Sequence, residues 1–212
     1  MVGGARGLFP YGTRAFVPSK AQADGVLEIG SAAGPRRTAA VVVAILTAPP
    51  HGVIFIERAA HLRDHPGQIA LPGGSVDPAD EGNLQRTALR EMREEVGVAA
   101  ERVTILGQLP VVSQRRANNF DVTPFVATIA PGPLTIDGTE TAAVFTIPLA
   151  FVLERLQAGT VTVGEQSVET YILDFEARRV WGLTAHILRR FVDAWTDAAN
   201  PLRAAVERVL QS

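Results

Sequence analysis

At 212 residues, 47% hydrophobic and 20% charged, the chain has the length and composition of one globular domain with a full core. A formal net charge of −2 gives no electrostatic reason to expect a nucleic-acid backbone or an anionic membrane as partner. The absence of cysteine excludes disulfides, thiolate metal sites and a cysteine nucleophile, and is compatible with a cytoplasmic setting.

Residues 1–37 are punctuated by Gly and Pro and show little periodicity. They read as an arm, with one short strand near 26–29, packing on the domain or on a partner subunit; the domain itself is expected over 38–212. No export signal is expected, because Gly and Pro interrupt the start before an apolar stretch develops. The longest apolar run, AAVVVAIL at 39–46, is too short to span a bilayer and rich in β-branched residues, so it reads as a buried strand. Residues 38–47 and 53–57 form a plausible antiparallel pair about Pro49-Pro50-His51-Gly52.

The second strand delivers Arg58, and a loop with Arg63, His65, Gly67 and Gln68 leads through a short strand at 69–71 to the turn Pro72-Gly73-Gly74. Arginine offers a bidentate fork to phosphate oxygens and keeps its charge, so two of them here suit a substrate with several phosphates. The plain alternative is a pair of surface charges, partnered by Asp64 and Glu57.

An acidic loop follows (Asp77, Pro78, Asp80, Glu81, Gly82), then a helix predicted over 84–96 and stopped by Gly97. Leu84, Ala88, Leu89, Met92 and Val96 recur at helical spacing as its apolar face, and Glu91, Glu94 and Glu95 lie on the other side. At about 100° per residue, Glu91 and Glu95 share a face with Glu94 beside them. Carboxylates so crowded repel unless a positive charge sits among them. A hard divalent cation such as Mg²⁺ meets that need, and Arg90 can orient the cluster. A solvated charged face is the bland reading of the same helix.

Downstream, 103–109 and 122–129 read as strands joined by a polar loop at 113–121, where Arg115, Arg116, Asn118 and Asn119 are either substrate contacts or solvated loop residues. A strand at 142–148 follows Glu140. A short helix is expected at 151–157, a hairpin at 160–164 and 168–175, and two helices at 183–196 and 201–210. Trp181 and Trp195 read as core or interface anchors. The four histidines lack ligand-like spacing, which argues against zinc, and there is neither a P-loop motif nor a G-x-S-x-G.

The stretch 72–98, PGGSVDPADEGNLQRTALREMREEVGV, resembles the Nudix box, G-x5-E-x7-R-E-U-x-E-E-x-G-U with U a bulky aliphatic. Residues 90–98, REMREEVGV, match its second half throughout. The first half departs: Asp80 stands where Glu is expected, and nine residues, not seven, separate it from Arg90. Residues 58–74 are similar to the signature L-L-T-x-R-[SA]-x3-R-x3-G-x3-F-P-G-G of the coenzyme A pyrophosphatase branch. Arg58, Ala59, Arg63, Gly67, Pro72, Gly73 and Gly74 fall in register, and Leu71 replaces Phe.

The resemblance implies an α/β protein with the Nudix fold, an α/β/α sandwich around a mixed sheet. It implies a Mg²⁺- or Mn²⁺-dependent hydrolase that cleaves coenzyme A, or a derivative, to 4′-phosphopantetheine and adenosine 3′,5′-bisphosphate. Glu91, Glu95 and Glu94 would hold metal, with the Gly74 carbonyl as a further ligand. Arg90 would orient the glutamates, and Glu94 or Glu140 would be the base. Arg58 and Arg63, with Gly67 and Gln68 in the same loop, would bind substrate. A homodimer is a family expectation. The alternatives are hydrolysis of another nucleoside diphosphate, such as ADP-ribose or a dinucleotide, and a non-catalytic nucleotide-binding module.

Overall fold

The computed structural model describes Val26–Leu27 and residues 36–114, 119–136 and 138–211. Most of the expected arm, and Arg115, Arg116 and Asn118, lie outside the described residues. At the centre is β2 (Arg37–Leu46), which is apolar at every position from Ala39 onward because it is covered there on both faces. Its odd-numbered side chains Ala39, Val43 and Ile45 enter one core, and Ala40, Val42 and Ala44 enter another. β1 (Val26–Leu27) lies at one edge of the sheet. β3 (Gly52–Arg58), β4 (Ile69–Ala70) and β5 (Gly73–Ser75) follow in sequence.

The helix α1 (Leu84–Val96) begins where Asn83 accepts hydrogen bonds from the Gln85 and Arg86 amides at 3.0 and 3.3 Å. It ends at Gly97, whose φ of 66° lets the Gly97 amide donate to Arg93 and the Val98 amide donate to Met92. Ala88, Met92 and Val96 are fully buried against the even face of β2, with Leu84 beside them. Leu89, expected on that face, is only half-buried and outside the cluster, because Thr87 and Glu95 take the buried positions flanking the stripe.

β6 (Val103–Gln108), β7 (Val112–Gln114), β8 (Phe120–Ile129) and β9 (Thr141–Pro148) complete the main sheet. Among the described residues it has nine strands, ordered β1-β7-β8-β2-β3-β4, with β5 on β2, β6 on β8 and β9 on β3. β2 and β8 run parallel over ten residue pairs, and the other β2 and β3 pairings are antiparallel, so the sheet is mixed. Ends of the loop expected at 113–121 are strand, and the Gly-Gly turn is itself the strand β5, paired Ala40 to Gly74 and Val41 to Gly73.

α2 (Leu149–Arg155) starts two residues before the predicted helix, because β9 ends directly in it at Pro148. The hairpin is longer than expected, β10 (Gln157–Val163) with β11 (Gln166–Phe175), and β12 (Arg178–Trp181) makes it a second, three-stranded sheet. That strand escapes prediction because four residues, RRVW, are too few to show a period. α3 (Gly182–Thr196) and α4 (Pro201–Leu210) close the chain. Ile187, Leu188, Phe191, Leu202 and Val206 share one core with the odd face of β2 and with Val122 and Val126 of β8. Helices thus cover both faces of a mixed sheet, the expected α/β sandwich. Among the described residues no helix is long and apolar enough to cross a membrane.

Candidate active site

A cavity of about 420 Å³ lies between the N-terminal half of β2, the β3–β5 segment, one side of α1 and the start of α3. Its acidic wall comes from α1. Glu95 is 7% exposed, and one of its oxygens accepts the Gly73 amide at 2.8 Å. Burial pushes its carboxyl up to about 8, and the neighbouring Glu91 and Glu140 charges push the same way. Burial also raises Glu91, against the pull of Arg90. The Glu91 carboxylate lies so close to Gly74 that a Cβ there would be 2.6 Å from Glu91 Cδ. Glycine at 74 is therefore a condition for Glu91 to stand where it does.

Arg90 ties this wall together. Its Nη1 donates to Glu91 at 2.8 Å and to Glu94 at 2.9 Å, its Nη2 to the Ser75 carbonyl at 2.9 Å, and its Nε to Asp80 at 3.2 Å. Asp80, 3% exposed, sits in the one-turn helix Pro78–Asp80 and also accepts Thr87 Oγ1 at 2.8 Å. The Arg90 guanidinium holds its carboxyl down at about 2, against the opposing effect of burial. The two-residue insertion in the box is accommodated by that one-turn helix, which brings Asp80 to Arg90 despite the longer spacing.

Arg58 faces the acidic pair from β3, near enough to favour the Glu95 carboxylate, and its buried Nε has no hydrogen-bond partner among the described residues. The loop beyond it is pinned at its base: the Arg58 amide donates to the Gln68 carbonyl at 3.0 Å and the Gly67 amide donates to the Arg58 carbonyl at 3.1 Å. Gly67 takes φ 67° to do so and shapes the loop without lining the cavity. Gln68 and Glu140 line it, as do Asp64 and His65. Arg63 is exposed and absent from the wall, and so is Glu94, whose side chain is 55% exposed and held by Arg90.

Among the described residues no three His, Asp or Glu side chains converge as a closed metal cage. The arrangement is an open pair, Glu91 and Glu95, with Glu140 adding like charge. That donor set fits a hard cation of the Mg²⁺ type, which takes one or two carboxylates and leaves its other positions to water and substrate phosphate. Sequence reasoning did not assign Asp80 its role of setting Arg90 from behind the wall, nor Arg37 and Phe120 theirs in forming the far rim. The contact of Arg37 with Phe120 depends on strand register and leaves no local mark in the sequence.

Comparison with known proteins agrees with this geometry. The NUDIX domain family matches residues 36–169. The relatives named "Uncharacterized Nudix hydrolase NudL" from Salmonella paratyphi B and Salmonella newport are each 40% identical over 157 residues, covering 73% of this chain and 80% of theirs. In structure, a MutT/nudix family protein from Enterococcus faecalis superposes with a TM-score of 0.54 at 18% identity, covering 90% of this chain and 81% of that one, a likeness of fold. With the family match spanning more than half of its length and the acidic helix in place, this chain belongs to the NUDIX family of hydrolases.

Proposed function

We propose that the chain hydrolyses the diphosphate linkage of coenzyme A or a CoA derivative, giving 4′-phosphopantetheine and adenosine 3′,5′-bisphosphate, with Mg²⁺ or Mn²⁺. The observation that carries this is the opposition, across one cavity, of a largely buried carboxylate pair, Glu91 and Glu95, to the positive charge of Arg58. Glu91 and Glu95 would hold the cation, which when bound neutralises charge on phosphoryl oxygens and lowers the pKa of a bound water. A carboxyl at about 8 is protonated for much of its time at neutral pH, so metal binding releases a proton there.

The chain's own groups supply the rest. Arg58, on the cavity wall, would bring its charge to a phosphate oxygen. Arg90 lies off the cavity wall; it locks α1 to β5 through Ser75 and to the one-turn helix Pro78–Asp80 through Asp80, so the carboxylates are fixed before substrate arrives. Glu140, on the wall and exposed, is better placed than Glu94 to accept a proton from the attacking water. Glu94, paired to Arg90, would steady that guanidinium.

The coenzyme A reading is supported by the register of residues 58–74 with that branch's signature. One observation favours the second reading, another nucleoside diphosphate such as ADP-ribose: Arg63, the second arginine of that signature, does not reach the cavity. Steady-state kcat/KM on CoA, ADP-ribose, NADH and a diadenosine polyphosphate decides between them. A preference of at least tenfold for CoA is expected; turnover of the others with CoA untouched would overturn the substrate assignment and leave the metal pair standing.

A further inference from the structure

At the far rim of the cavity, parallel pairing of β2 with β8 sets Arg37 directly opposite Phe120, and the Arg37 guanidinium lies 4.6 Å over the Phe120 ring. A cation on a ring face is held flat and in place, with its edge N–H groups still available. Among the described residues, the side-chain hydrogen bond that Arg37 makes is a long one, 3.4 Å to Ser75 Oγ. Among the described residues no carboxylate lies within ion-pair distance of Arg37. The next arginine, Arg36, is paired to Asp121 at 3.4 Å. Of two adjacent arginines, one is spent on a carboxylate and the other carries its charge to the cavity wall.

Position along the strand gives the scale. Val41 pairs with Gly73, the residue that holds Glu95, and Arg37 lies four residues earlier on the same strand. At a rise of about 3.3 Å per residue, the two backbone positions are roughly 13 Å apart. Between them, Ala39 and Val122 give a small apolar floor. An arginine side chain reaching back over that floor spans part of the distance. A second anionic group on the same ligand, separated from the scissile diphosphate by a sugar, spans the remainder.

We infer that Arg37, held on Phe120, binds a second phosphate of the substrate, one carried on the nucleoside ribose and not part of the diphosphate that is cleaved. This deepens the proposed function and rests on it for the identity of the whole substrate: coenzyme A bears such a phosphate at the ribose 3′ position and dephospho-coenzyme A lacks it.

The test has two arms. In the first, kcat/KM for CoA and for dephospho-CoA is measured on the wild type, Arg37→Gln and Arg37→Lys. The wild type is expected to prefer CoA by about 10- to 100-fold, expressed in KM, the range of one charge-assisted phosphate contact. In Arg37→Gln that ratio collapses toward one, and Arg37→Lys, which keeps the charge and loses the fork, retains part of it. A ratio unchanged in Arg37→Gln overturns the inference. In the second arm, calorimetry compares adenosine 3′,5′-bisphosphate with AMP on the same three proteins. Tighter binding of the bisphosphate by the wild type and not by Arg37→Gln is expected; equal affinity of the wild type for both overturns the inference. If the wild type cleaves neither CoA nor dephospho-CoA, the coenzyme A reading fails and the binding arm alone judges Arg37.

Discussion

Alanine at Gly74 is a perturbation whose size can be worked from the structure. Its Cβ would stand 2.6 Å from Glu91 Cδ, where unstrained carbon contacts need about 3.5–4.0 Å. Gly74 does not occupy the left-handed region, so an alanine backbone fits, and the collision is wholly with the end of one side chain. Glu91 must retreat by about 1 Å, which also breaks its bond from Arg90 Nη1. A displacement of that order at a positioned group costs about 10²-fold in turnover, or about 2.7 kcal/mol of barrier. The fold has little to lose, because a half-buried carboxylate can swing toward solvent. Gly73→Ala is the control: its Cβ would lie 2.5 Å from Val41 Cα, in a backbone at φ 149°, and it should destabilise the protein by about 3 kcal/mol or more. The assay is kcat/KM for diphosphate hydrolysis with saturating Mn²⁺, beside a thermal melt of each variant. Wild-type turnover in a folded Gly74→Ala protein, or equal loss of Tm in both variants, would refute the reasoning.

Asp80→Ala removes the buried partner of Arg90, which keeps Glu91 and Glu94, and is expected to cost about 1.5–3 kcal/mol in urea unfolding. A loss under 1 kcal/mol would mean that Asp80 does not organise the helix. His186, 5% exposed, with no hydrogen-bond partner for its Nε2 among the described residues, is held down to about 4 by burial first and by Arg190 second. Its folded value lies below its unfolded value of 6.5, so its contribution is complete above pH 6.5 and declines as pH falls toward 4. About 3 kcal/mol is lost across that window. His186→Leu should flatten this part of the stability profile; an unchanged slope would rule the histidine out as its source. Glu140→Gln, if Glu140 accepts the water proton, should lower kcat by about 10²- to 10⁴-fold with KM and melting unchanged; a wild-type kcat would exclude it as the base.

What could be read from the sequence was what is local. The helix of residues 84–96 carries its own cap, stripe and stop, so its extent and its three glutamates were legible before any fold was known. The Gly73-Gly74 pair was legible as a turn, and not as a strand on β2. Asp80 was visible as an odd spacing, but its partnership with Arg90 needs the one-turn helix at Pro78–Asp80 to carry it back. Arg37 and Phe120 are 83 residues apart in sequence and meet only through the β2–β8 register, which no local pattern encodes. Arg63 shows the converse. Its spacing from Arg58 matches a family signature, yet the loop turns it outward, because the bonds between Arg58, Gly67 and Gln68 fix only the loop's base.

The most direct measurement is of products from CoA, resolved by chromatography after incubation with Mn²⁺ or Mg²⁺, for the wild type and for Glu95→Gln. The account predicts adenosine 3′,5′-bisphosphate and 4′-phosphopantetheine in equal amounts from the wild type, none without metal, and none from a fully folded Glu95→Gln protein. Products from Glu95→Gln at the wild-type rate would contradict the assignment of Glu95 to the metal and, with it, the account of the acidic helix.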